Sequence, residues 1–196
     1  MSEASDGIEI TEEFKVAEPT EKLIPTADPE KTVEAKATIL PDDLRIFLRQ
    51  ETLVEIYEYS KTDLNHELGG VLVGTFHQWR GQLWIDVDGY IKAVKYVNTA
   101  ASFKFTHDSF SAISREKERR FNDKPTLGWH HTHPGYGVFL SNYDRFIQEQ
   151  FFNLPYNVAL VVDPRASKFG FFQWKHGKIE SCGFYFVRAR SPAVAR

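Results

Sequence analysis

Apolar and polar positions along the chain change period several times, and each change marks an element. Leu44, Phe47, Leu48, Leu53, Ile56 and Tyr57 recur at roughly helical spacing behind Pro41-Asp42-Asp43. They predict a helix from Pro41 to about Ser60, with its acids placed for the N-terminal dipole. Asp63 to His66 reads as a loop. Leu68 to Phe76 is mostly apolar, as in a buried strand. After a turn at Gln78 to Gly81, the alternation Leu83-Trp84-Ile85-Asp86-Val87 predicts its hairpin partner. Residues 89–98 read as a further strand and Phe103 to Phe105 as a short extended piece. Thr106 stands as N-cap to a helix carrying Phe110, Ile113 and Phe121. Thr126 to His133 is a strand, and Asn142 to Phe152 a helix stopped before Pro155. Asn157 to Val162, Phe169 to Trp174 and, past a turn at His176-Gly177, Ile179 to Val187 complete the strands. Strands and helices thus interleave around one sheet, an α/β arrangement with no internal repeat and no second domain.

Composition adds a boundary. Residues 1–38 hold ten acids against four lysines, three prolines and few large apolar side chains. They read as a disordered acidic tail. Residues 39–188 then form the folded domain, and 189–196 a frayed end. A hydrophobic share of 42% and sixteen Phe suit a filled core. The net charge of −3 gives no electrostatic case for nucleic acid. No apolar run has the length of a membrane span, and the acidic N-terminus does not read as a signal or transit peptide. Cys182 is the only cysteine, which excludes an intramolecular disulfide and a zinc site of several thiolates. A reducing, cytoplasmic setting is the expectation.

The candidate chemistry is concentrated in residues 127–144, LGWHHTHPGYGVFLSNYD. Side chains at i and i+2 of a strand share a face, so His131 and His133 point to one side with Trp129, and His130 and Thr132 to the other. Two histidines and a carboxylate are the ligand set of a catalytic zinc that keeps one position open. Asp144 is the carboxylate candidate. The string Ser141-Asn142-Tyr143-Asp144 is also a helix-capping signature, with Ser141 as N-cap and Asp144 three residues on. Taken alone it favours capping; placed a short loop after H-x-H-P, it favours a ligand, and both roles can coexist. A zinc hydrolase needs a general base. Glu67, where a loop meets an apolar strand, is the candidate, against the plainer reading of a surface acid at a strand edge. Gly69, Gly70 and Gly74 beyond it suggest close approach of other backbone.

These residues carry a family resemblance. Glu67, His131-Thr132-His133, seven intervening residues beginning with Pro134, then Ser141, two more and Asp144 resemble the JAMM/MPN+ metalloprotease signature, E…H-[ST]-H-x7-S-x2-D. HTHPGYGVFLS is similar to the H-S-H-P-G-[FY]-G-x-W-L-S run of the family's proteasome-lid and signalosome members, with Phe139 in place of Trp. ELGGVLVG resembles E-x-x-G-x-L-x-G, and VVDP, ending at Pro164, a later strand end. The likeness spans roughly residues 40–187 and is strongest at 128–144. It implies a single-domain, curved mixed sheet flanked by helices, as in cytidine deaminases. Deamination itself is excluded by the missing H-x-E…P-C-x-x-C pattern.

The resemblance also implies roles. His131, His133 and Asp144 would hold one Zn2+. Glu67 would be the general base, and Ser141 would stabilise the oxyanion. Family members mostly cleave after the Gly-Gly tail of ubiquitin or a ubiquitin-like protein. Gly135, Tyr136 and Gly137 are the expected wall of a glycine-only channel, and the tail would add as a strand beside the sheet edge. The extra Cys/His zinc site of some linkage-selective members has no room between Asp144 and Asp163 and no cysteine to build it. Three functions follow: an isopeptidase acting on a ubiquitin-like conjugate, a processing peptidase for a ubiquitin-like sulfur carrier as in some prokaryotic relatives, and a non-catalytic MPN scaffold. The complete constellation argues against the scaffold.

The other polar candidates read as structural. His130 should pack, His66 should be solvated, and His77, His107 and His176 should lie at the surface. Asp163 should cap or turn a strand end, Trp129 should be core, and Cys182 a small strand residue.

Overall fold

The computed structural model of the protein describes residues 16–190. Twelve strands are present: β1 (Thr20–Glu21), β2 (Lys31–Lys36), β3 (Arg45–Arg49), β4 (Gly69–Trp79), β5 (Gln82–Lys92), β6 (Val97–Thr99), β7 (Ser102–Lys104), β8 (Thr126–Thr132), β9 (Val158–Asp163), β10 (Lys168–Lys175), β11 (Lys178–Cys182) and β12 (Phe184–Ala189). Three helices accompany them: α1 (Gln50–Ser60), α2 (His107–Phe121) and α3 (Asn142–Phe151). Ten strands form one curled, mixed sheet in the order β11-β10-β9-β8-β4-β5-β3-β12-β2, with β1 beside β4; β6 and β7 make a separate hairpin. The architecture is α/β, as the sequence predicts.

Both faces of the central strands are apolar, because helices cover both. Leu72, Leu160 and Val162 face Ile56 of α1, while Val71, Val73, Ala159 and Val161 face Ile113 of α2 and Ile147 of α3. This is the burial expected of strands sandwiched between helical layers. A third cluster of Ile24, Phe47, Trp84 and Val187 lies towards the β2 edge. The strand glycines do what their positions suggest. A side chain at Gly69 would collide with the Phe103 ring, and one at Gly74 with the Asp86 carbonyl. β8, which carries the histidines, lies between antiparallel β4 and parallel β9 at the centre of the sheet.

Four expectations are corrected. The helix expected from Pro41 begins only at Gln50. Ile46, Phe47 and Leu48 are fully buried in β3, between β5 and β12, and consecutive burial on both faces erased the strand alternation. Residues 16–38 are not a disordered tail. β2 pairs antiparallel with β12, β1 pairs parallel with the far half of β4, and the Ala17 amide donates to the Tyr156 hydroxyl (3.0 Å). These edge strands are held by backbone pairing, which few large apolar residues betray. Residues 1–15 and 191–196 lie outside the described part, while Arg190 still donates its amide to the Glu30 carbonyl (2.8 Å). His77 is not at the surface. It is 6% exposed in β4, with Thr20 and Thr75 hydroxyls on its two ring nitrogens. The predicted final strand is also broken, at Gly183, into β11 and β12.

Candidate metal centre

The centre is built by the end of β8, the loop after it, the first turn of α3 and Glu67, two residues before β4. His131 is buried in β8, and His133 lies one residue beyond its end. Backbone bonds fix this terminus. Thr132 donates its amide to the Leu68 carbonyl (2.9 Å) and His133 to the Val162 carbonyl (2.8 Å). The Thr132 hydroxyl accepts from the Leu68 amide (2.8 Å). Alternation then separates the histidines as predicted. His131 stacks on Trp129 at 4.3 Å and 11°, and the Trp129 indole donates to Gln148 (2.8 Å).

Asp144 arrives through the cap of α3. The Ser141 hydroxyl accepts from the Asp144 amide (3.2 Å), and Asp144 Oδ2 accepts from the Ser141 amide (2.7 Å). That reciprocal capping box holds one rotamer of the carboxylate. In that rotamer the same Oδ2 lies 3.4 Å from His131 Nε2 and 3.5 Å from His133 Nε2, while the two Nε2 atoms are 3.1 Å apart. One side chain thus makes the cap and places an oxygen where a ligand atom could sit.

The three donor atoms fit a metal. Ligands at the ~2.0–2.1 Å typical of tetrahedral zinc stand about 3.3–3.4 Å from one another. The observed triangle brackets that spacing, and three electron-pair donors converge on one point. Among the described residues, His131, His133 and Asp144 form the one group of this kind. Both Nδ1 atoms are buried without a partner, leaving each imidazole free to present Nε2 inward.

Glu67 is 3% exposed, two residues before β4 begins. Its Oε1 lies 3.7 Å from His133 Nε2, and its Oε2 is buried with no partner. Its backbone is clamped by the β6–β7 hairpin: the Glu67 amide donates to the Thr99 carbonyl (3.0 Å), and the Asn98 side chain donates to the Glu67 carbonyl (2.7 Å). The surface-acid reading is excluded by this burial. Burial pushes the Glu67 carboxyl up to about 7, Asp144 adding to the rise and His133 opposing it. Asp144 goes the other way. Burial would raise it, but hydrogen bonding with His131, His133 and Ser141 outweighs that and holds it well below the usual carboxylate range. Burial lowers His131, favouring the neutral ring a metal needs. Two neighbouring carboxyls thus have environments that push their proton affinities apart, an arrangement suited to acid–base work.

Gly135 and Gly137 take φ of 86° and 89° in the loop leaving His133, and Tyr136 between them is 55% exposed. The expected structural residues fall as follows. His130 is fully buried on the opposite face, His66 and His107 are exposed, and His176 is exposed and bonded to Asp42. Burial pushes the Cys182 thiol far up, so it is no reactive thiolate. Sequence reasoning missed what holds the site: Asn98 and Thr99 under Glu67, Gln148 under Trp129, and Phe139 against the His133 ring at 4.6 Å. Only Phe139 had a signal, as the aromatic position of the H-x-H loop. A cleft of about 1220 Å3 lies away from this centre. It lies between α2, α3 and the segment around Val16, lined by Lys117, Tyr143, Phe146 and Phe151.

Comparison with known proteins gives several relatives and a fold. No family model matches the chain. The 26S proteasome regulatory subunit RPN11 of Eremothecium gossypii is 29% identical over 137 residues, 67% of this chain and 43% of that protein. COP9 signalosome complex subunit 5 of Candida albicans is 30% identical over 146 residues, 71% of this chain and 22% of that protein. The NAD(+) hydrolase TcpA of a Theionarchaea archaeon is 33% identical over 86 residues, 43% of this chain and 26% of that protein. The chain spans less than half the length of the curated relatives it matches. The solution structure of protein DSY2949 from Desulfitobacterium hafniense superposes with a TM-score of 0.56 at 18% identity, covering 76% of this chain and 97% of that one. It supports the fold alone. Likeness to RPN11 and to signalosome subunit 5 places this chain in the JAMM/MPN+ family.

Proposed function

We propose that the protein is a zinc-dependent isopeptidase that cleaves after the C-terminal Gly-Gly of ubiquitin or a ubiquitin-like protein. The observation that carries this is the 3.1–3.5 Å triangle of His131 Nε2, His133 Nε2 and Asp144 Oδ2, with an unpartnered Glu67 oxygen beside it. His131, His133 and Asp144 would hold the ion. Zinc, when bound there, acidifies water and polarises the scissile carbonyl.

The protein's own groups supply the rest. Glu67, with an affinity for protons near neutrality, is matched to take a proton at Oε2 and return it to the departing lysine amine. Ser141 uses its oxygen as an acceptor from the Asp144 amide, so its own O–H remains to donate to an oxyanion. Phe139 against His133 and Trp129 against His131 keep the imidazoles dry and oriented. The Gly135–Tyr136–Gly137 loop, adjoining His133, is the wall along which a narrow tail would lie.

An intact-mass assay tests the reading. One substrate is a ubiquitin-type protein joined to lysine through Gly-Gly; the other is the same protein with a short C-terminal extension. Glu67→Gln and chelated protein are the controls. Cleavage of the isopeptide, absent from both controls, supports deconjugation. Cleavage of the extension alone moves the assignment to a processing peptidase, of the sulfur-carrier kind. A wild type that takes up no zinc under zinc-replete purification favours the scaffold.

A further inference from the structure

Asp163 ends β9 as a carboxylate 2% exposed. Its partners are four backbone amides: Oδ1 accepts from Gly135 (2.9 Å), Arg165 (3.1 Å) and Ala166 (3.1 Å), and Oδ2 from Gly137 (2.9 Å). A strand-end turn needs only the bonds to Arg165 and Ala166. The other two reach across 28 and 26 residues to the loop that leaves His133.

The neighbouring side chain makes the opposite connection. Arg165 Nε and one guanidinium nitrogen donate to the Leu64 carbonyl (3.0 and 2.8 Å), and that nitrogen also to Asn65 Oδ1 (3.2 Å). Leu64 and Asn65 lead directly into Glu67. A Cβ on Gly135 would stand 3.2 Å from Arg165 Cδ, so the two attachments are in near contact. One turn, Asp163 to Ala166, thus holds the loop that delivers Glu67 and the loop that follows His133.

We infer that this turn is a clasp setting the gap between the Glu67 loop and the Gly135–Tyr136–Gly137 wall, with Asp163 the positioning residue that keeps the gap narrow enough to select a glycine-only tail. The inference rests on the isopeptidase reading above. Its physical basis is that both glycines flanking Tyr136 are pinned by the same buried carboxylate. The backbone on either side of Tyr136 cannot shift without breaking a charge-assisted bond to a buried carboxylate. Selection against a methyl group then costs nothing further on binding, because the wall is already in place.

Asp163→Asn separates the parts of this device. An amide can keep Oδ1 on Gly135, Arg165 and Ala166, but turns an NH2 towards the Gly137 amide. The fold keeps its turn and the wall loses one anchor. Zinc content and kcat on the Gly-Gly conjugate are expected to stay within about twofold of wild type, while KM rises roughly tenfold. Discrimination against Gly-Ala and Ala-Gly tails should narrow by a similar factor, and hydrogen exchange at Gly137 should quicken without change at Ala166. Arg165→Ala frees the other loop, so its loss, roughly five- to tenfold, should fall on kcat rather than KM. Equal losses in kcat, KM and zinc in Asp163→Asn, or unchanged tail discrimination, would overturn the clasp as a device of selection. If wild type cleaves no Gly-Gly conjugate, the isopeptidase reading and the selection fall together. Exchange at Gly137 then decides the clasp alone, and unaltered protection in Asp163→Asn refutes it.

Discussion

His130 and His131 are adjacent on one strand, both fully buried, and their surroundings are opposite. On the α1 face His130 is complete. The Ser60 hydroxyl donates to the Ile56 carbonyl (2.8 Å), so its oxygen accepts from His130 Nε2 (3.2 Å), and the Tyr90 hydroxyl therefore donates to Nδ1 (3.1 Å). On the other face His131 and His133 have bare Nδ1 atoms, Nε2 atoms aimed at each other and at Asp144, and Glu67 with a bare oxygen. Buried polar groups are nearly always satisfied. The face that satisfies them is structural. The other face leaves two Nδ1 atoms and a Glu67 oxygen without a protein partner and brings two Nε2 atoms together with Asp144, a group that could hold a metal ion.

Removing a convergent donor should have the largest effect. His131→Ala or Asp144→Ala is expected to drop bound zinc from about one ion per chain to near none, and turnover by at least about a thousandfold. Metal analysis beside the intact-mass assay checks both. Asp144→Ala should also unravel the start of α3, at about 1 kcal/mol for the cap. Glu67→Gln keeps shape and metal but not the base, and turnover should fall by roughly a hundred- to ten-thousandfold with zinc retained. A variant with near-normal turnover would remove Glu67 from its role.

The two faces should also differ in pH response. Glu67 has its carboxyl raised from 4.5 to about 7 by burial, so the fold prefers the neutral acid. In metal-free protein that preference is fully present below pH 4.5 and is lost as pH rises through about 7. Metal-free Glu67→Gln should therefore be more stable than wild type at pH 8, by a few kcal/mol at most, and little different at pH 4. His130 is lowered from 6.5 to about 3, chiefly by burial. Its contribution is present above pH 6.5 and lost as pH falls towards 3. His130→Ala should cost roughly 1–3 kcal/mol at neutral pH by stranding Tyr90 and Ser60, measured in urea, with zinc stoichiometry unchanged. Loss of zinc in that variant would erase the distinction between the faces. The smallest effect belongs to Tyr136→Ala. KM for a Gly-Gly substrate should rise by a few-fold at constant kcat, and unchanged kinetics would take Tyr136 out of the wall.

How much of this the sequence showed depended on range. The H-x-H on one strand face, the S-x-x-D cap and the acid ahead of a glycine-rich strand are local patterns, and the structure brings those five residues together. β3 was misread because Ile46, Phe47 and Leu48 are buried consecutively, and with Leu44 they run into the genuine helical spacing of Leu53, Ile56 and Tyr57 in α1. Residues 16–38 were misread because edge strands earn their place by backbone pairing rather than by apolar side chains. The supports of the site were illegible for a different reason. Asn98 lies 31 residues from Glu67, Arg165 101 residues from Leu64 and Asp163 28 residues from Gly135. Each is an ordinary polar residue until the sheet closes.

The doubly employed carboxylate of Asp144 bears on how this chain can change over generations. Its two tasks are under different pressures, one for folding and one for chemistry. Under the proposed function, a descendant that gave up cleavage would have every reason to keep Ser141 and Asp144, because α3 still has to start somewhere. His131 and His133 have no such second protection, since their Nδ1 atoms have no protein partner. Loss of activity in this lineage should be written first in the histidines, and a surviving S-x-x-D is a record of the helix rather than of the enzyme.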